Sequence, residues 1–191
     1  MAIPSPAVDA GGPPWASLSA DEKRSRTLSV ASELFAREGV ELPMPALADA
    51  LGVGVGSIYR QLGKKDDLIA ALVIERLERA AERFTVAARM PDALAALHAA
   101  TLATVDDCIS DGVMQAVWEE TLTRADVQAA RERVSAALEA LVEHARAAGA
   151  LRADATIEDL RLIFRAVKDA ETLGDGGARR LGELVLRGLS A

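Results

Sequence analysis

Apolar residues first recur at helical spacing at Leu28, Ala31, Leu34 and Phe35. Upstream, Ser19 is followed three residues later by Glu22, the pattern of a capping box. Gly39 falls just past the last periodic turn, where the backbone often takes a positive φ. The pattern predicts a helix over 19–38. Glu41-Leu42-Pro43-Met44-Pro45 then interrupts the periodicity, and Pro45 suits the first turn of a new helix, where its missing N–H costs nothing. That helix is expected over 45–51, stopping at Gly52. A glycine-rich turn leads to a second short helix over 55–62, ending at Gly63. Two short helices joined by a glycine turn form a helix-turn-helix pattern.

A long periodic segment runs from Lys65 to Arg89 and is broken by Pro91. Later helices are expected over 92–109, 112–122, 124–148, 156–172 and 177–189. Their breaks fall at Asp111-Gly112, Thr123, Gly149 and Gly174-Asp175-Gly176-Gly177. Asp126 stands in a first turn, where the helix dipole favours a carboxylate. No alternation of period two persists beyond a few residues, and no internal repeat is present. Residues 1–17 hold four of the seven prolines and a Gly-Gly pair, so they read as a disordered tail with Trp15 exposed. The expected organisation is all-α: a three-helix helix-turn-helix unit over 18–64 and a larger helical domain over 65–191.

Composition agrees with the pattern. Hydrophobic residues make up 50% of the 191 and aromatics only 3%, so the core is built from Ala, Leu and Val, and Ala and Leu are strong helix formers. A single cysteine, Cys108, rules out an intrachain disulfide and a Cys-rich zinc site. No run of 18 apolar residues and no signal-peptide pattern occur, so a cytoplasmic protein with no membrane association is expected. The net charge of −7 argues against non-specific coating of nucleic acid. Locally the balance reverses: Gly52 to Lys65 carries three cations (Arg60, Lys64, Lys65) and no acid.

Within the helix-turn-helix, Ala48 is small where two helices must approach, and Gly52 can adopt the left-handed turn. Ile58 faces back towards Leu47, Leu51, Val53 and Leu62. Val55, Ser57, Tyr59, Arg60 and Gln61 then point outward or partly outward, within reach of base edges, thymine methyls and phosphates.

These residues carry a resemblance. "LFAREGV" and "LADALGVGVGSIYRQLGKKDDL", at their spacing, resemble the TetR family of bacterial transcription regulators over about 25–70. The resemblance implies an N-terminal three-helix DNA-binding domain and a larger helical domain that binds a small-molecule effector and forms a homodimer on double-stranded operator DNA. It implies phosphate contacts at Tyr59 and Lys65, with Val55, Ser57 and Gln61 along the DNA-facing side. Pro43 stands where the family often has a hydroxyl, Val55 where a Lys is common, and Leu62 where an aromatic is common. "ARAAGALRADATIEDLRLIF" is similar to the SbtR-like C-terminal domains of one subgroup.

Gly52-x-Gly54-x-Gly56 follows a helix rather than a strand, which excludes a dinucleotide fingerprint. Cys108 reads as a small buried hydrophobe, and His144 as exposed. Asp106-Asp107 and Glu119-Glu120 point about 100° apart on a helix and read as a solvated face. No catalytic triad, metal-ligand cluster or cofactor motif is present, so no enzyme activity, cofactor or metal is expected. The competing class is a small helical enzyme or a non-DNA interaction bundle.

In the larger domain, Phe84, Leu94, Met114, Trp118 and Phe164 are candidate walls of an apolar effector cavity, with His98 or Arg165 as polar anchors; ordinary core packing is the alternative for Phe84, Met114, Trp118 and Phe164, and a satisfied core or boundary histidine for His98. Residues 80–191 carry 13 basic and 18 acidic residues, which disfavours a polyanionic effector and favours a hydrophobic or amphipathic one. Ile157, Leu160, Ile163, Phe164 and Val167 form one stripe, and Leu181, Leu184, Val185 and Gly188 another. Both are expected at the dimer interface, with Gly188 allowing close approach; the alternative is that both stripes bury only within the monomer.

Overall fold

The computed structural model describes residues 13–111, 113–114, 119–174 and 176–191. Among these residues there is no strand; one isolated antiparallel bridge joins Leu151 to Ser190.

Helix α1 spans Ala20–Glu38. Its capping box forms as expected: the Glu22 N–H donates to Ser19 Oγ (3.2 Å) and the Ser19 N–H donates to Glu22 Oε2 (2.7 Å). Gly39 ends it with φ of 84°. Helix α2 (Met44–Leu51) follows an extended Pro43 and stops at Gly52, whose left-handed φ of 66° turns the chain into α3 (Val55–Leu62). Helix α4 runs over Lys65–Ala87 and α5 over Ala93–Ser110, with the Asp92 carboxylate capping the Ala95 N–H. Helices α6 (Glu119–Thr123), α7 (Ala125–Ala147), α8 (Ile157–Thr172) and α9 (Gly177–Leu189) complete the order. The expected helix over 112–122 is represented by helical Val113 and Met114 and by α6, while 112 and 115–118 lie outside the described residues.

Trp15 corrects the expectation of an exposed aromatic. It opens a 3-10 turn, Trp15–Ser17, and packs against the N-terminal core, while Arg26 Nη1 donates to the Pro13 carbonyl at 2.7 Å. Covering a large apolar ring offsets the entropy of ordering this short stretch.

The core falls into two clusters, and α4 crosses both. The first joins α1, α2 and α3 to the early turns of α4 through Phe35, Leu47, Ile58, Leu68 and Leu72. It also takes in Val113 and Val127, with Met114 and Leu122 packed against it. The second joins the late turns of α4 to α5, α7, α8 and α9 through Phe84, Leu97, Leu141, Leu160 and Ile163. Cys108 is half-buried at its edge, and burial pushes its thiol pKa up.

One largely buried arginine ties the two parts. Arg76 on α4 donates through Nε to Asp111 Oδ2 (2.6 Å) and through Nη2 to Ser32 Oγ on α1 (2.5 Å). Asp111 Oδ1 accepts the N–H groups of Val113 (2.9 Å) and Met114 (3.2 Å). The residues after α5 are thereby held onto the helix-turn-helix core.

Candidate DNA-binding surface

The apolar positions of α3 are few and adjacent. Ile58 and Leu62 are buried one turn apart and fix the helix on Leu47 and Leu51. At 100° per residue, Val55 and Tyr59 then flank one side of the buried edge and Ser57 and Gln61 the other. Val55 is 37% exposed and Tyr59 47%, Arg60 is exposed, and Ser57 and Gln61 are half-buried. Arg60 Nη2 lies 3.4 Å from Ser57 Oγ, a long contact that folds the guanidinium back over the helix. All five expected side chains thus share one exposed helix.

Gly56, read from sequence only as turn chemistry, sits inside α3 on its outermost line. A Cβ there would meet nothing within 4 Å. A glycine inside a helix costs about 1 kcal/mol relative to alanine. Space does not demand one here, and the glycine leaves that line of α3 without a side chain.

The turn after α3 carries the remaining cations. Gly63 takes φ of 76°. Lys64 is exposed, whereas Lys65 is half-buried with its Nζ 3.6 Å from Glu41 Oε2 on the α1–α2 connection. Glu41 was not singled out in the sequence, because residues 24 apart reveal no pairing without the fold. Asp67 closes the turn by accepting the Lys64 N–H at 2.9 Å, and this bond, followed by one from Arg124, holds its carboxyl below the usual carboxylate range.

The expected effector wall is distributed differently from the single shared cavity anticipated. Phe84 is fully buried and its ring lies 6.1 Å from that of Phe164, a tilted core contact. Met114 belongs to the other cluster, against the helix-turn-helix core. Leu94 is half-buried, Arg165 is exposed, and Trp118 lies outside the described residues. His98 Nε2 is 3.3 Å from Ser190 Oγ, and burial holds its imidazole pKa below the usual value. Arg76 and Asp111 hold the segment after α5 beside α1 and α4, so Met114 packs on the first cluster while Phe84 and Phe164 belong with the second.

The expected dimer residues also divide. Leu160 is 1% exposed and lies inside the chain's own core with Ile163 and Val167. Ile157, Phe164 and Val185 pack against the same core. Gly188 is exposed and a Cβ there would meet nothing, whereas Gly182 is the glycine at a close approach, its missing Cβ 3.0 Å from Leu102 on α5. Leu184 faces outward and Leu181 is half-buried. They border an apolar groove of about 580 Å³ at the α8–α9 corner, with Ala166, Ala170 and Leu173. Leu184 is 51% exposed, Leu173 90% and Leu162, on α8, 58%. The corner is tight: a Cβ on Gly177 would lie 2.1 Å from the Ala170 carbonyl oxygen, and Glu171 accepts the Gly176 and Ala178 N–H groups at 3.0 and 3.1 Å.

A three-helix unit that exposes one short helix beside a basic turn, joined by a shared helix to a larger all-α unit, defines the class of helix-turn-helix transcription regulators. The chain belongs to the TetR family: the profile for bacterial regulatory proteins of the tetR family matches residues 28–72, and that for the SbtR-like C-terminal domain of transcriptional regulators matches 92–191. It is a DNA-binding transcription regulator and not an enzyme. No curated protein matches the chain. Among solved structures, the TetR regulator SCO0520 of Streptomyces coelicolor is 27% identical, with 87% of this chain and 98% of that one covered and a TM-score of 0.65. A TetR protein of Mycobacterium vanbaalenii shares 24% identity over 90% of this chain and 97% of that one, with a TM-score of 0.66. AmtR of Mycobacterium smegmatis shares 21% over 92% and 88%, with a TM-score of 0.58. Among the described residues no helix is long and apolar enough to cross a membrane, and no group of three or more His, Cys, Asp or Glu side chains is placed to hold a metal ion.

Proposed function

We propose that the chain is a repressor that binds a pseudo-palindromic operator as a homodimer and is released by a small hydrophobic or amphipathic effector. The observation that carries the reading is the exposed face of α3, with Val55, Ser57, Tyr59, Arg60 and Gln61 on one helix and Lys64 and Lys65 on the turn that follows. In this reading Tyr59, Lys64 and Lys65 bond phosphates and set the register, while Val55, Ser57 and Gln61 meet base edges. One helix of eight residues and three cations is a small footprint, so affinity depends on two copies acting together.

The apolar face of exposed Leu173 and Leu184 with half-buried Leu181, beside a tight corner, supports a homodimer paired through it. An effector in the C-terminal unit acts by favouring a separation of the two α3 helices that no longer matches successive major grooves; a tenfold release needs about 1.4 kcal/mol of preference for the non-binding state. The apolar second cluster supports a hydrophobic or amphipathic effector.

The test is selection of duplexes from a random library by the purified full-length chain. Enrichment of a pseudo-palindrome, with affinity falling steeply as salt rises, is expected. Absence of any enriched sequence at low salt overturns the reading.

A further inference from the structure

The turn that presents Lys64 and Lys65 is held by one carboxylate, and that carboxylate is held from the other half of the molecule. Asp67 uses both oxygens. Oδ2 accepts the Lys64 N–H at 2.9 Å, and Oδ1 accepts from Arg124 Nη1 at 3.0 Å. Gly63 lies so close that a Cβ on it would stand 2.5 Å from Asp67 Oδ2, so the turn is moulded around this carboxylate.

Arg124 is itself fixed. It stands at the N-terminal end of α7, and its Nε and Nη2 donate to the two oxygens of Asp126 at 3.1 and 3.0 Å. Asp126 Oδ1 also accepts the Val127 N–H at 2.9 Å, and Val127 is buried in the first cluster. The planar guanidinium therefore spans two carboxylates, one on α7 and one at the start of α4, with a geometry a lysine ammonium does not reproduce. Arg124, Asp67 and Asp126 are each partly exposed, and pairs of this kind add little to stability. What such a fork supplies is position.

We propose that Arg124 is a positioning residue for DNA binding: acting through Asp67, it fixes the turn carrying Lys64 and Lys65 against α3, without touching the duplex. The proposal rests on the DNA-binding reading above. It assigns the start of α7 a direct hold on the DNA-facing cations, so a displacement of α7 is transmitted to them through one carboxylate.

Two explanations of an Arg124 effect give opposite signs at Asp67. If Arg124 bound phosphate directly, Asp67→Asn would remove an acid beside the lysines and tighten binding. If Arg124 positions the turn, Asp67→Asn loosens it and weakens binding. The experiment is a mobility-shift titration of the full-length chain against a duplex that the wild type has itself enriched from a random library. It uses R124Q, R124K, D67N and the double variant R124Q/D67N, each checked for an unchanged helical melt. The expected result is about tenfold weaker binding for R124Q and for D67N, a double variant no weaker than either, partial recovery in R124K, and a salt slope for R124Q equal to the wild type's. A slope reduced by about one in R124Q together with tighter binding by D67N overturns the proposal in favour of a direct phosphate contact. Wild-type affinity in every variant overturns it too while leaving the DNA-binding reading intact; failure of the wild type to enrich any duplex overturns both. Should R124Q not fold, D67N and R124K carry the same decision.

Discussion

Leu184→Glu places a charge at the centre of the exposed apolar face of α9. In the single chain Leu184 is about half exposed, beside Leu181 and Leu173. Fully burying a leucine contributes about 1.5–3 kcal/mol, so covering the exposed half contributes about 1 kcal/mol. A two-fold axis uses the same patch twice, which makes the leucine's share about 2 kcal/mol per dimer. The substitution also brings two carboxylates into the contact, and desolvating a charge costs several kcal/mol even after relaxation. The total of at least about 5 kcal/mol corresponds to a dissociation constant raised by more than about a thousandfold. The monomer should keep its helices, because the position is exposed and lies one turn after Arg180, a favourable partner for a carboxylate. Sedimentation equilibrium should show a monomer at micromolar concentration with an unchanged helical signal, and affinity for a full palindrome should fall to that for one half-site. An unaltered dimer would place the interface elsewhere and remove the argument built on the α8–α9 corner.

Three further outcomes are expected. Tyr59→Phe and Lys65→Ala should each weaken duplex binding without unfolding the chain, and Lys65→Ala should lower the salt slope by roughly one; unchanged affinity in a mobility-shift titration would count against the phosphate assignments. Glu41→Gln should tighten binding a few-fold at low salt, since Lys65 then has no partner to give up, and the gain should vanish at high salt, where exposed charges are screened. Gly177→Ala forces a Cβ to within 2.1 Å of the Ala170 carbonyl, so the α8–α9 corner must open; calorimetry should record a lower Tm, and an unchanged Tm would show that the corner has slack.

The helix-turn-helix was legible because its determinants are local. Ser19 and Glu22 cap α1, Gly52 and Gly63 turn the chain at positive φ, and Ile58 and Leu62 orient α3 within eight residues. Each of these signals acts over less than two turns, so the linear sequence contains it whole. The larger unit was less legible because α8 carries two apolar stripes. The stronger, Leu160, Ile163 and Val167, is buried in the chain's own core. The weaker, Leu162, Ala166 and Leu173, faces outward, and its last member follows the end of the helix, where the glycines read only as a break. Periodicity ranks stripes by apolar content and not by which neighbour covers them, so it does not tell a stripe covered by the chain itself from one left for a second copy. The placement of Met114 is illegible for a related reason: it follows Asp111, whose partner Arg76 is 35 residues away in sequence.

The same geometry resolves how a chain of net charge −7 can present a surface to DNA. Helix α4 starts at the basic turn with Lys65 and runs 23 residues, a length of about 34 Å at 1.5 Å per residue. Much of the acid of residues 80–191 lies on helices built around the far half of that helix, while Asp111 and Asp126, beside the first cluster, are paired with Arg76 and Arg124. At physiological ionic strength the screening length is about 8 Å, so charges several such lengths away contribute almost nothing at the α3 face. The charges on and beside α3 are Arg60, Lys64 and Lys65, with Glu41, Asp66 and Asp67 nearby, and under the proposed function these cations are what a phosphate meets. Two of those three acids are engaged, Glu41 with Lys65 and Asp67 with Arg124 and the Lys64 N–H. Binding therefore depends on how the local pairs are arranged more than on the global charge. Under the proposed positioning role of Arg124, a shift of the start of α7 changes how the turn carrying Lys64 and Lys65 is held, while the net charge of the protein stays the same.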